Sequence, residues 1–465
     1  MSNVKENSLE WSLKHLSRYS HSDFFTKIAE FKAIAHNWKV VKSYCLSIDL
    51  EHYVPKSPMI LIAPKPNGTF RIVHQLDPID SLMYTALVRE LCEAIENFRI
   101  PEEKRIACAY RIKPDLNGSF FSSETGWGTY MSRSEELATK YESGYVINPD
   151  ITDFYNQIYT HRVQNLVEDA GEGALDEQAN SLELFLMGLN KKTSRGIPVG
   201  PGPSIILADI DNKIQTYTSD FVRYVDDMRL FFENQEDAVF ALHELTDYLH
   251  SYHRLTFSGE KTNMSSTSDF RDRHLMDENR EERVALVSRA EELAIGKMDD
   301  RLSEIGPYDE DFDYEQEKQE LLDELMSSEH FALLTGIYKD LFDQAVTSPR
   351  IDLQLLRHLL RKAAKYRIRN IAPLTMEHFE KLLPIIRGVV IYLKQVLNIE
   401  FVITNKQHFE KILSAYYMRL PFVNLWISHL LQDPSFREVN LPEKLEVVLG
   451  IRSQAQIALR NQDRT

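Results

Sequence analysis

Apolar and polar positions divide the chain into two kinds of text. The first fifty residues are polar with scattered aromatics and predict mainly helix. From Met59 the pattern shifts to short β-type runs, Met59-Ile60-Leu61-Ile62-Ala63 and Thr69-Phe70-Arg71-Ile72-Val73, on either side of Pro64-Lys65-Pro66-Asn67-Gly68. Asn-Gly between two such runs is a strong hairpin signal. Leu82 to Phe98 reads as a helix. A Gly/Ser-rich loop near Asn117 to Gly128 precedes the β-type run Tyr145-Val146-Ile147, and Phe221 to Phe232 reads as strand–turn–strand. After Lys261 the β-type text stops, and from about Glu281 the period is helical. Leu356, Leu359, Leu360 and Ala363 keep the i, i+3, i+4, i+7 spacing, as do Phe379, Leu382, Leu383 and Ile386. Both stripes predict helix faces packed in a core.

The expected fold class is therefore α+β up to about residue 265 and all-α after it. A chain of 465 residues exceeds what one core usually supports. The text changes suggest segments 1–140, 141–265, 266–330 and 331–465, the third a charged helical connector.

Composition narrows the class. A 43% hydrophobic and 27% charged chain is ordinary for a globular protein. Cys45, Cys92 and Cys108 are too few and too scattered for a disulfide framework or zinc cluster, and read as buried thiols in a reducing cytoplasm. The polar start carries no signal-peptide pattern. The most apolar stretch, Leu382 to Leu397, is interrupted by Arg387 and Lys394, which argues against a membrane span. A cytoplasmic protein with no membrane partner is expected.

Net charge is −16, which opposes loose coating of nucleic acid. The charge is uneven, however. Arg350 to Thr465 carries 18 Lys and Arg against 10 Asp and Glu, while acid concentrates in Tyr308 to Leu325. That acidic run reads as a solvated linker or a lid.

The chemistry lies in three places. The run Val146-Ile147-Asn148-Pro149-Asp150 delivers a carboxylate at a strand end. Val222-Arg223-Tyr224-Val225-Asp226-Asp227-Met228 sets two more in a hairpin turn. Between them, Gly196-Ile197-Pro198-Val199-Gly200-Pro201-Gly202-Pro203-Ser204 makes a stiff turn that runs into an apolar helix. Carboxylates from two strand ends are what two-metal nucleotidyl transfer needs, with Mg²⁺ ions about 3.5–4 Å apart. Any one of these motifs alone is more often a polar turn or a helix cap.

Together, Asp-Ile-x-x-Phe-Tyr, Pro-x-Gly-x-x-x-Ser and Tyr-Val-Asp-Asp resemble motifs A, B and C of reverse transcriptases, in the same order. Leu255-Thr256-Phe257-Ser258-Gly259-Glu260-Lys261-Thr262 is similar to motif D, and Pro64 to Arg71 resembles the fingers hairpin. The similarity runs from Met59 to Thr262. It implies fingers and an RRM-like palm sheet, followed by an all-α C-terminal domain in place of a thumb.

The resemblance also implies roles. Asp150, Asp226 and Asp227, with Ile151, would hold two Mg²⁺ ions. Lys261 would approach the leaving phosphate as cation or general acid. Lys65, Arg71, Ile151, Asp153, Tyr155 and Gly200 would form the nucleotide site, although Lys65 and Arg71 also read as solvated hairpin charge and Asp153 as a helix cap. Gly202, Ser204 and Tyr224 would face template and primer. Tyr155, five residues past Asp150, would sit under the sugar and exclude a 2′ hydroxyl, so the substrates would be deoxynucleoside triphosphates and the product DNA. Val199 stands where many reverse transcriptases carry Gln, which removes a side-chain amide from the template contact.

No integrase, RNase H or zinc-finger endonuclease signature is present. The wording of Arg71 to Asp77 and of Ile158-Tyr159-Thr160-His161 resembles bacterial defence-associated reverse transcriptases, the abortive-infection and unknown-group lineage. That lineage implies anti-phage defence, a closed homo-oligomer and an RNA template, in some members a dedicated non-coding RNA. Other members extend a protein tyrosine without a template, a role for which Tyr416-Tyr417 is one candidate. An RNA-dependent RNA polymerase, a terminal transferase and a non-catalytic RNA-binding module are the competing readings.

Overall fold

The computed structural model describes residues 3–19, 21–27, 30–66, 68–122, 124–208, 220–275, 286–289, 291–292, 329–349, 351–436 and 439. The acidic run Tyr308 to Leu325 lies outside them. The chain forms two compact units, one of residues 1–60 and 72–276, the other of residues 61–71 and 277–465.

In the first unit, strands β3 (Tyr145–Asn148), β4 (Phe221–Tyr224), β5 (Asp227–Phe232) and β6 (Asn263–Ser266) form an antiparallel sheet in the order β4-β5-β3-β6. Helices lie between β3 and β4, and the helix Gln235–Tyr248 lies between β5 and β6. This connectivity is a split βαβ arrangement in which the first strand is central. Side-chain parity explains why the strands read as continuous apolar runs. Ile147, Phe221, Leu230 and Phe232 belong to the large core on one face, whereas Val146, Val222 and Phe231 pack with Tyr130, Leu137 and Phe270 on the other. A sheet covered on both faces has no polar side. Each fully buried side chain of this kind contributes roughly 1.5–3 kcal/mol.

The large core rests on the helix Pro78–Phe98, which is buried along most of its length. Pro78 suits its first turn, and the Asp77 carboxylate caps it by accepting from the Ile79 N–H at 3.0 Å.

Strand β6 departs from the expectation that β structure ends at Lys261. Asn263-Met264-Ser265-Ser266 is polar because it forms the sheet edge, but all four residues pair with β3. An edge strand with polar side chains lacks the apolar alternation by which strands are recognised.

The hairpin predicted around Asn67-Gly68 is present as β1 (Met59–Pro64) and β2 (Phe70–Gln75). It is closed by the Lys65 N–H donating to Thr69 O at 2.8 Å, with Gly68 at φ +76. Its residues 61–71 belong to the second unit.

That unit contains the helices Glu329–Thr347, Leu353–Lys365, Ile386–Val396 and Pro421–Leu430 among its described residues. The stripe Leu356, Leu359, Leu360 and Ala363 is fully buried. Phe379, Leu382, Leu383 and Ile386 are buried too, but on two elements: Phe379–Ile385 is a 3₁₀ segment and Ile386 begins the next helix. Pro384 lacks the N–H that a continuous α-helix would need there. The three cysteines are unbridged and buried. Among the described residues no helix is long and apolar enough to cross a membrane.

Candidate functional site

The sheet places its acidic residues by register. Ile147 faces Leu230 on β5 and Met264 on β6. Three residues further along both pairings, Asp150 falls between Asp227 on one side and Lys261 on the other. The hydrogen bonds agree with this placement. Lys261 Nζ donates to Asp150 Oδ2 at 3.1 Å and to Oδ1 at 3.5 Å. The Asp150 N–H donates to Thr262 Oγ1 at 3.0 Å, and the Asp150 carbonyl accepts from the Ser258 N–H at 2.8 Å. Ile151 then bridges to Phe257, which pins the segment after β3 to the Leu255–Thr262 stretch.

Asp226 lies on the two-residue turn Val225-Asp226 that joins β4 to β5, and Asp227, paired with Tyr224, opens β5. The first turn residue, Val225, has φ +58 and is buried. A β-branched residue with positive φ is a true outlier, and this turn position ordinarily holds glycine. Such strain persists only where surroundings enforce it. Here the buried Arg223 enforces it, donating from Nε to the Val225 carbonyl at 2.6 Å and from a terminal nitrogen to the Ala208 carbonyl at 3.2 Å. The Arg223 main chain is held in turn by Ile106 and Cys108 at 2.8 and 2.9 Å. Sequence reasoning missed Arg223 as a support, because nothing in a strand's text shows where a side chain returns to its own turn.

The charges of Asp226 and Asp150 both act on Asp227. Asp227 is an exposed residue, yet desolvation of its carboxyl, together with the like charges of Asp226 and Asp150, raises it to about 6 against the opposing Arg229 and Lys261. Arg229 lies beneath, buried and stacked over the rings of Tyr130 and Phe270 at 4.5 and 5.1 Å. Among the described residues, the one group of three potential ligand atoms mutually within 4.8 Å is Asp49, Glu51 and His52. Asp150, Asp226 and Asp227 are therefore not drawn together that tightly. Three hard oxygen donors on neighbouring segments would suit divalent magnesium. The Ile151 side chain is buried and apolar, so only its carbonyl could join them.

The other predicted residues fall as follows. Asp153 stands just before the short helix Phe154–Gln157 at φ +49, and its side chain, which does not cap that helix, accepts from Asn156 Nδ2 at 2.7 Å. Tyr155 is half-buried against the large core, and its carbonyl accepts from the Ile197 N–H at 2.9 Å. Tyr224 is half-buried in an aromatic group with Tyr110, Trp127 and Tyr130. Gly200 has φ +124, and a Cβ there would meet Ser22 Oγ at 2.6 Å. Gly202 lies against His15 and Phe120. Ser204 is fully buried, its hydroxyl sharing a 3.0 Å hydrogen bond with Tyr84. Val199 binds through its main chain: its N–H donates to His74 Nδ1 at 3.1 Å and its carbonyl accepts from the His74 N–H at 2.9 Å. Lys65 and Arg71 lie on the hairpin tip, in the second unit. A small, mostly apolar cavity of about 50 Å³ opens behind Ile151 and Met228, and none of the carboxylates lines it.

No family model matches the chain, and no curated protein matches it. Fifty-three chains of solved structures do. One is telomerase from Candida albicans in complex with a TWJ fragment of telomeric RNA, 12% identical at TM-score 0.35, the match covering 79% of this chain and 65% of that one. Apo telomerase from Candida tropicalis is 11% identical at TM-score 0.34, with 86% and 74% covered. The chain thus spans slightly under two thirds of the first neighbour. Likeness this loose adds nothing to the site geometry.

Proposed function

We propose that the chain is a nucleic-acid polymerase of the reverse-transcriptase type. One observation carries this reading: a split βαβ sheet delivers Asp150 from its central strand and Asp226 and Asp227 from the adjoining turn to one end, with Lys261 beside them. In this reading the sheet is the palm and the β1–β2 hairpin belongs to the fingers. Asp150, Asp226, Asp227 and the Ile151 carbonyl would hold two Mg²⁺ ions. When bound, those ions lower the pKa of the attacking primer hydroxyl and neutralise the leaving pyrophosphate.

The chain's own residues do the rest. Asp150 accepts from Lys261, so the ammonium is held beside the carboxylates as a cation and proton source for the leaving phosphate. Arg223 fixes the strained turn that aims Asp226 and Asp227. Tyr155 would bar a 2′ hydroxyl, giving DNA as product. Lys65 and Arg71 would hold the triphosphate, and Gly200, Gly202, Ser204 and Tyr224 would shape the template and primer side. Ser204 would do so by supporting the loop from below, since its hydroxyl is engaged by Tyr84.

The wording of residues 71–77 and 158–161 supports placing this polymerase in bacterial anti-phage defence, copying an RNA template as a homo-oligomer. Template-independent, protein-primed synthesis is the second reading, favoured by Val199 and by the exposed Tyr416, whose hydroxyl donates to Glu380 at 2.7 Å. Tyr417 is buried and its hydroxyl pushed up to about 12, which removes it as a primer. The test of nucleotide choice is incorporation by wild type and Tyr155→Ala with matched deoxy- and ribonucleotides. The reading predicts deoxynucleotide use that relaxes toward ribonucleotides in the variant. Equal use of both by wild type contradicts it.

A further inference from the structure

The helix Leu353–Lys365 in the second unit carries three cations in one row. Arg357, Arg361 and Lys365 are exposed and four residues apart, so successive charges stand about 6 Å apart along the axis. The helix itself contains no acidic residue. The neighbouring row is treated differently. Lys362 donates to Glu291 at 2.8 Å, and His358 approaches the same carboxylate at 3.8 Å. Tyr338 also donates to Glu291. Although burial opposes it, these donors hold the Glu291 carboxyl down at about 2. One row is thus neutralised inside the protein.

Arg357 and Arg361 of the other row differ. Among the described residues no carboxylate lies within ion-pair distance of Arg357 or Arg361. Another cation, Arg71 of the hairpin in the same unit, acts on Arg357. Like charges are kept together here in a chain whose net charge is −16. A repeating anion accounts for that arrangement better than water does. Guanidinium forks match phosphate oxygens bidentately. A one-dimensional row of them matches a backbone that repeats its charge.

We infer that the Arg357–Arg361 row is a binding surface for the phosphate backbone of single-stranded nucleic acid. The inference rests on the polymerase reading for why such a strand is present, but the surface can be tested without turnover.

The probe is a fluorescently labelled oligodeoxythymidylate, bound to the full chain in EDTA without nucleotides and followed by anisotropy across a salt series. Each phosphate contact on a single strand contributes about 0.7 to the slope of log affinity against log salt. Arg357→Gln with Arg361→Gln should therefore flatten the slope by about 1.4. The control, Lys191→Gln with Lys192→Gln, removes equal charge from exposed positions of the first unit and should leave the slope unchanged. Thermal melting of both doubles checks folding. Three results overturn the inference: a wild type that does not bind the probe, an unchanged slope in the arginine double, or equal flattening in the control. Loss of polyglutamate binding with oligonucleotide binding intact would assign the row to an acidic protein instead. Because no catalysis is read, failure here leaves nucleotidyl transfer untouched, and inactive but strand-binding protein would fail only the polymerase reading.

Discussion

Lys261 Nζ lies 3.1 Å from Asp150 Oδ2, and the two residues come from distant segments joined by the pairing of β3 with β6 and by the bridge of Ile151 to Phe257. The ion pair is partly exposed, so by itself it adds little to stability. Its value is in placing a cation beside the carboxylates. Lys261→Ala should leave the melting temperature nearly unchanged and lower the rate of nucleotide incorporation by about 10²–10⁴-fold, the usual worth of a positioned acid. Lys261→Arg separates charge from proton transfer, because a guanidinium keeps the charge and does not give up its proton. Recovery by Arg would assign Lys261 an electrostatic role alone.

Asp227 carries the cost of a desolvated carboxyl set beside two others. Its folded-state pKa, about 6, is above its ordinary value of 3.8. The ionised form therefore opposes folding at neutral pH, and stability gained from this group grows as pH falls from 6 toward 4. Asp227→Asn should raise the melting temperature in EDTA at pH 7 while abolishing activity. The gain should stay below about 1 kcal/mol, because Asp227 is an exposed residue and solvent screens it. It should also shrink when the comparison is made at pH 4. A lower melting temperature in EDTA would contradict the like-charge account.

Arg223 spans Val225 and Ala208 with one buried guanidinium. Arg223→Met would leave two carbonyls without their donor in a dry site and release the strained turn. The expected destabilisation by denaturant titration is about 2–4 kcal/mol. Arg223→Lys should not restore it, since an ammonium cannot reproduce the fork.

Gly200 tests the loop ahead of the buried Ser204. Gly200→Ala would place a methyl 2.6 Å from Ser22 Oγ at a φ of +124. Strain of this kind costs about 1–3 kcal/mol. Adding Ser22→Ala should recover only part of the loss, because removing the hydroxyl relieves the clash and leaves the backbone conformation unfavourable. Full recovery would mean that the backbone tolerates a side chain there.

Much of this arrangement was legible in the sequence because it follows local rules. Asn67-Gly68 announced its hairpin, and the Leu356 stripe announced its buried face. The strand ending at Asp150 and the turn at Asp226 were marked by apolar runs that stop at carboxylates. What escaped was set by partners distant in sequence. Strand β6 has no apolar pattern because it lies at an edge, so its pairing with β3 was invisible. The strain at Val225 was hidden because valine is a good strand residue, and only Arg223 folding back onto the turn holds it at φ +58. The burial of Ser204 against Tyr84 joins residues far apart in the chain. Pro384 is visible in the sequence, but the Phe379 periodicity masks the 3₁₀ break that it causes.

The most direct measurement is incorporation of labelled deoxynucleotides into acid-insoluble product by the full chain in Mg²⁺, comparing wild type with Asp226→Asn after both are shown to melt cooperatively. The account predicts Mg²⁺-dependent synthesis by wild type and none above background by the variant. Equal incorporation by both proteins, or none by folded wild type supplied with its own co-purifying nucleic acid, would contradict it.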